Sequence, residues 1–122
     1  MAKKILVIED YHETAQLMEN IFKMKGFEVV LAYDGASGLE KAAAEKPDLI
    51  LLDVMMPGMS GIEVCQKLKS DPATSKIPVV IVSVKTASED LGAGKEAGAD
   101  EYVTKPFDPA DLVKIVEKYV GV

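Results

Sequence analysis

Cysteine is almost missing from this chain. Cys65 is the only one among 122 residues, which excludes an internal disulfide and a cysteine-rich zinc site. Its place on an inward-facing helix position makes it a buried small hydrophobe rather than a reactive thiol, and a reducing compartment fits. Histidine is equally scarce: His12 is the only one. It opens the first helix, where it is expected to be partly exposed and without partners, and no catalysis is assigned to it. No apolar run is long enough to cross a bilayer, because Asp53, Lys85 or a proline interrupts each one. Met1-Ala2-Lys3-Lys4 leads into a short apolar strand and then into charge, too short a run for an export signal, so a cytoplasmic location is the expectation. Low-complexity tracts and internal repeats are absent. No glycine-rich phosphate loop follows the first strand, which argues against a nucleotide- or flavin-binding relative. Positive charge is also in deficit, with 14 basic against 20 acidic residues and a net charge of −6. That balance disfavours nonspecific binding to nucleic acid and to anionic membranes.

What is present is ordinary for a soluble globular protein: 48% hydrophobic and 28% charged residues. The length suits a single domain, residues 1–122, that buries roughly two thirds of its unfolded surface. Strand-like runs at Lys4–Ile8, Glu28–Ala32, Leu49–Asp53, Val79–Ser83 and Glu101–Thr104 are each followed by a segment with helical apolar spacing. The first helix is expected to turn Leu17, Met18, Ile21 and Phe22 inward, and the last Leu112, Ile115, Val116, Tyr119 and Val120. Ser60-x-x-Glu63 and Thr86-x-x-Glu89 read as capping boxes, and Asp108-Pro109 as a capping carboxylate before a proline at the first helical position. Gly26, Lys46-Pro47-Asp48 and Asp71-Pro72 mark helix ends. The fourth helix, near Asp90–Gly98, is the weak one, with two interior glycines that each cost about 0.5–1 kcal/mol relative to alanine. It is expected to fray or move most.

Strand and helix therefore alternate five times, giving an α/β chain of (βα)5 type: a flavodoxin-like doubly wound sandwich with helices on both faces of a parallel sheet. The run Leu49-Ile50-Leu51-Leu52 is apolar throughout and belongs in the middle, buried on both sides. Among doubly wound orders, 2-1-3-4-5 suits five strands. Strands one and three are then neighbours at the switch point, and the crevice at the carboxyl ends of the strands is the ligand site. Glu9 and Asp10 leave strand one there, Asp53 leaves strand three, and Ser83 and Lys105 stand beside them at the exits of strands four and five. Three clustered carboxylates repel, and the usual remedies are protonation, a neighbouring cation or a hard metal ion. At least one of their pKa values should rise in the metal-free protein.

The acidic pair Glu9-Asp10, the turn Asp53-Val54-Met55-Met56-Pro57-Gly58, Ser83, Tyr102 and Lys105-Pro106-Phe107 occur in order and correctly spaced. In these residues, over essentially its whole length, the chain resembles the receiver domains of bacterial two-component response regulators, and in size the stand-alone chemotaxis-regulator type. The 2-1-3-4-5 order is that family's order too, so it comes with the resemblance rather than beside it. The resemblance implies that Asp53 is the phosphoacceptor, taking a phosphoryl group from a sensor histidine kinase or histidine phosphotransfer protein. It implies Mg²⁺ as cofactor, ligated by Asp10, by Asp53, by Glu9 through water and by the Met55 backbone carbonyl. Lys105 would pair with a phosphoryl oxygen, with the Lys105-Pro106 bond cis to aim it inward. Ser83 would donate its hydroxyl to the phosphoryl group, and Tyr102 would turn inward as Ser83 moves. Those motions would alter the face of the fourth helix, fifth strand and fifth helix, where a downstream protein would bind.

Plainer roles exist for each residue. Asp10, with Glu13 three positions on, is also a helix-cap pattern, and Asp53 could merely open the turn at Met56-Pro57-Gly58. Each leaves the other acids unexplained. A Mg²⁺-dependent phosphatase of the haloacid-dehalogenase type would need an acid two residues after Asp53, where Met55 stands. A constitutive adaptor that had lost phosphorylation would need a broken acid pocket, and this one is intact. The chain is expected to be a single-domain regulator or a fragment of a longer one, and a switch rather than a turnover enzyme.

Overall fold

The computed structural model describes residues 2–53, 58–83 and 97–121, apart from the Ser83 side chain. Strands β1 (Lys4–Ile8), β2 (Glu28–Ala32), β3 (Leu49–Leu52), β4 (Val79–Ser83) and β5 (Glu101–Thr104) form one sheet in the order β2-β1-β3-β4-β5. All four pairings are parallel, so the predicted order holds. Helices α1 (His12–Met24), α2 (Gly35–Glu45), α3 (Gly61–Ser70) and a C-terminal helix (Pro109–Val120) cover it. None of the described helices is long and apolar enough to cross a membrane.

Alternation along the strands divides the core in two. Ile5, Val7, Leu49, Leu51, Val80 and Val82 face Met18 and Phe22 of α1 and Leu112 and Val116 of the C-terminal helix. Leu6, Ile8, Ile50 and Leu52 face Ala42 of α2 and Val64, Cys65 and Leu68 of α3. A fully buried aliphatic side chain contributes roughly 1.5–3 kcal/mol, so a middle strand lined with them on both faces holds the sheet rigid under its exits. Helix α2 lies so close to β1 that a Cβ on Gly38 would stand 2.6 Å from Ile8 Cδ1.

Ser60 accepts a hydrogen bond from the Glu63 N–H at 3.3 Å, and Asp108 caps the C-terminal helix through the Ala110 N–H at 2.9 Å. A cap unforeseen in the sequence is Asp34, whose carboxylate accepts from the Ser37 N–H at 2.7 Å. Gly26, at φ +90°, ends α1 in the left-handed region that favours glycine. The Thr86-x-x-Glu89 box and the glycine-weakened helix fall outside the described residues, apart from Ala97 and Gly98, which form a turn. Leu17 is a correction: it is 50% exposed. The inward stripe of α1 runs instead through Ala15, Met18 and Phe22, and Leu17 sits one residue, about a quarter turn, off that stripe.

The amino edge of the sheet is closed by acids that each have donors of their own. Asp48 Oδ2 accepts from the Lys4 N–H at 2.8 Å, and Lys4 Nζ meets Glu45 Oε1 at 3.0 Å. Asp100 Oδ2 accepts from Lys69 Nζ at 2.9 Å and from the Val79 N–H at 2.8 Å. Lys69 Nζ also reaches the Ile77 carbonyl at 2.8 Å, tying the end of α3 to the entry of β4.

Candidate acidic site

At the opposite edge the parallel ladder runs one residue past its strands. The Glu9 N–H donates to the Ala32 carbonyl at 2.9 Å, and the Asp53 N–H to the Ile8 carbonyl at 3.0 Å. Strand β3 itself ends at Leu52, one residue short of the predicted bound. These bonds deliver Glu9 and Asp53 to adjacent exits with fixed backbone direction. Asp10 follows in the turn before α1. One carboxylate oxygen from each of Glu9, Asp10 and Asp53 lies within 4.8 Å of the others. Glu9 is 1% and Asp53 6% exposed, whereas Asp10 is half-buried.

Helix α1 takes Tyr11 as its N-cap and has no side-chain cap there. Asp10 is therefore not spent on capping, and the plainer reading of that residue falls. Lys105, brought in by β5 and followed by a cis bond to Pro106, supplies the cation. Its Nζ lies 2.5 Å from Glu9 Oε1 and 3.7 Å from Asp53 Oδ2. Lys105 thus rests closer to Glu9 than to Asp53.

Three acids with one ammonium, which pairs with two of them, leave surplus negative charge in a largely buried place. Burial pushes the Glu9 carboxyl up to about 7; the Asp53 carboxylate beside it pushes the same way, and Lys105 opposes both. The expected rise in a carboxylate pKa is present, but burial leads and the neighbouring acid comes second. The donors are all oxygens, the preference of a hard divalent cation, and a surplus of buried carboxylate is what such a cation relieves. The residues therefore fit Mg²⁺.

Of the other predicted site residues, Met55 lies outside those described. Ser83 ends β4 with its backbone opposite Thr104. Tyr102 sits half-buried on β5 opposite Ile81. Cys65 is buried on α3, as expected, with Sγ 3.6 Å from the Ala97 carbonyl and its thiol pushed up to about 11, chiefly by burial. His12 is a second correction: it has a partner, the Tyr33 ring, at a centroid distance of 4.0 Å and a tilt of 31°. The strand order carried the signal, because β2 lies beside β1 and Tyr33 is the first residue past β2, at the same edge as His12.

The family pattern described as "Response regulator receiver domain" matches residues 5–117. The response regulator PleD of Caulobacter vibrioides is 45% identical over 112 residues, 92% of this chain and 25% of that protein. The DNA-binding response regulator MtrA of Mycobacterium tuberculosis is 40% identical over 113 residues, 93% of this chain and 48% of that protein. This chain thus spans between a quarter and a half of these relatives. Among solved structures, chemotaxis protein CheY4 of Vibrio cholerae superposes with a TM-score of 0.92 at 29% identity, covering 98% of this chain and 99% of that one.

Proposed function

This chain belongs to the response regulator receiver domain family, and from that premise we propose that it is a phosphorylation-driven switch whose phosphoacceptor is Asp53. The observation that carries the reading is the gathering of Glu9, Asp10 and Asp53 within 4.8 Å, with Lys105 beside them, at the carboxyl edge of a parallel sheet.

In the proposed transfer an Asp53 carboxylate oxygen attacks the phosphorus of a phosphohistidine on a sensor kinase or phosphotransfer protein. The new P–O bond forms as the P–N bond breaks, and the imidazole nitrogen leaves with the bonding pair and takes up a proton. A carboxylate is a weak nucleophile toward an anionic phosphoryl group, so the site must work by positioning and charge neutralisation. Glu9, Asp10, Asp53 and the Met55 carbonyl would hold Mg²⁺, which when bound offsets the combined charge of carboxylate and phosphoryl oxygens. The backbone bond from Asp53 to Ile8 holds the nucleophile still. Lys105, 3.7 Å from Asp53 Oδ2, exchanges Glu9 for a phosphoryl oxygen. Ser83 donates its hydroxyl to the same group and Tyr102 follows, reshaping the face of residues 90–98, β5 and the C-terminal helix. A downstream protein binds that face. The acyl phosphate is lost slowly by self-hydrolysis, so the domain is a cytoplasmic switch and not a turnover enzyme.

Incubation with a small acyl-phosphate donor and Mg²⁺, followed by intact mass, tests the reading. One acid-stable, base-labile phosphoryl group is expected on the native chain and none on Asp53→Asn. A native chain that takes up no phosphoryl group, or an Asp53→Asn chain that still does, overturns it.

A further inference from the structure

The three acids of the pocket are not held alike. Glu9 is fixed by Lys105, by the Tyr11 N–H at 3.3 Å from its Oε2, and by its own N–H on Ala32. Asp53 is fixed by its N–H on Ile8 and by Lys105. For the Asp10 carboxylate, by contrast, the described residues provide no hydrogen bond or ion pair, and its place is set only by the turn that carries it. That turn is tied at one end by the Glu9–Ala32 bond, at the edge of β2. At the other end it runs into His12, whose ring lies against Tyr33, the first residue past β2. Both ends are thus fastened to the same neighbouring strand exit, one by a backbone bond and one by two rings. Tyr33 is held in turn, because Asp34 beside it caps α2 through Ser37.

We propose that the His12–Tyr33 ring pair positions Asp10 as a metal ligand by pinning the β1–α1 turn to the exit of β2. The inference rests on the Mg²⁺ site proposed above. Neither ring is among the residues that would hold the metal; both act through the turn.

Mg²⁺ titration calorimetry of the full chain tests it, with the melting temperature of the metal-free protein as a check on folding. Tyr33→Ala is expected to weaken Mg²⁺ binding about three- to tenfold, the scale of a lost aromatic contact, and Tyr33→Phe, which keeps the ring, to restore the native value. In an Asp10→Asn background the same Tyr33→Ala change is expected to have no further effect, because the ligand it positions is already impaired. A Tyr33→Ala protein with native Mg²⁺ affinity, or one that loses affinity equally in the Asp10→Asn background, overturns the proposal. If Tyr33→Ala lowers the metal-free melting temperature strongly, His12→Ala carries the same comparison with the same two outcomes. A native chain that binds no Mg²⁺ removes this inference together with the function beneath it. Native Mg²⁺ binding that is indifferent to both rings removes this inference alone.

Discussion

The two edges of the sheet are built from the same side chains and arranged to opposite ends. At the amino edge Asp48 and Asp100 are exposed or half-exposed and receive donors of their own, so their charge ties loops to strands. At the carboxyl edge Glu9 and Asp53 are buried and share one lysine, and Asp10 is drawn in with them without an ion pair among the described residues. The difference lies in the supply of donors relative to burial. Matched carboxylates stabilise a fold, whereas surplus buried ones store repulsion that a cation or a proton must relieve.

The largest expected contrast is in pH dependence. The Glu9 carboxyl, raised from its ordinary 4.5 to about 7, contributes stability that is complete below its unfolded pKa and lost as pH rises through the folded one. Urea unfolding of the metal-free protein should therefore show stability falling by on the order of 2–3 kcal/mol from pH 5 to pH 8. Lys4, at the amino edge, should not add to that slope. The Lys4 ammonium is held above its usual range, first by its hydrogen bond to Glu45, and its contribution is lost only in alkaline solution. A flat profile would mean that the carboxyl edge is not in surplus.

Next in size, Asp100→Ala should destabilise the domain by about 1–3 kcal/mol in the same assay, because it removes the carboxylate that accepts from Lys69 Nζ and leaves the Val79 N–H without its partner. Asp53→Asn should do the reverse, leaving metal-free stability unchanged or raising it by up to about 1 kcal/mol. Clear destabilisation by Asp53→Asn would erase the distinction between the edges. Smallest is Glu45→Gln: an exposed ion pair contributes little, and the urea midpoint should not move measurably.

Much of this is legible in the residues themselves. The strand bounds at Lys4–Ile8, Glu28–Ala32, Val79–Ser83 and Glu101–Thr104 match those observed, because short apolar runs between helical stretches have few alternatives in a parallel sheet. Glu9, Asp10 and Asp53 could be brought together on paper, since strand order alone decides which exits are neighbours. What escaped was decided by side-chain direction. Leu17 is apolar yet turns outward, because neighbouring helical positions differ by about a quarter turn. That Lys105 rests closer to Glu9 than to Asp53 depends on where a flexible four-carbon stem comes to rest. The Lys69–Asp100 tie joins residues on separate elements with no local pattern to announce it. The His12–Tyr33 stack lay within reach of the topology but not of periodicity, since both rings sit just beyond their strands.

The surplus of negative charge at the carboxyl edge is what a divalent ion is proposed to relieve. Melting temperatures with and without saturating Mg²⁺, at pH 5 and at pH 8, measure this. A ligand that binds only the folded, deprotonated site stabilises more where that site is ionised, so the Mg²⁺-induced rise should be larger at pH 8 and should shrink in Asp10→Ala. An equal rise at both pH values, undiminished in Asp10→Ala, would contradict it.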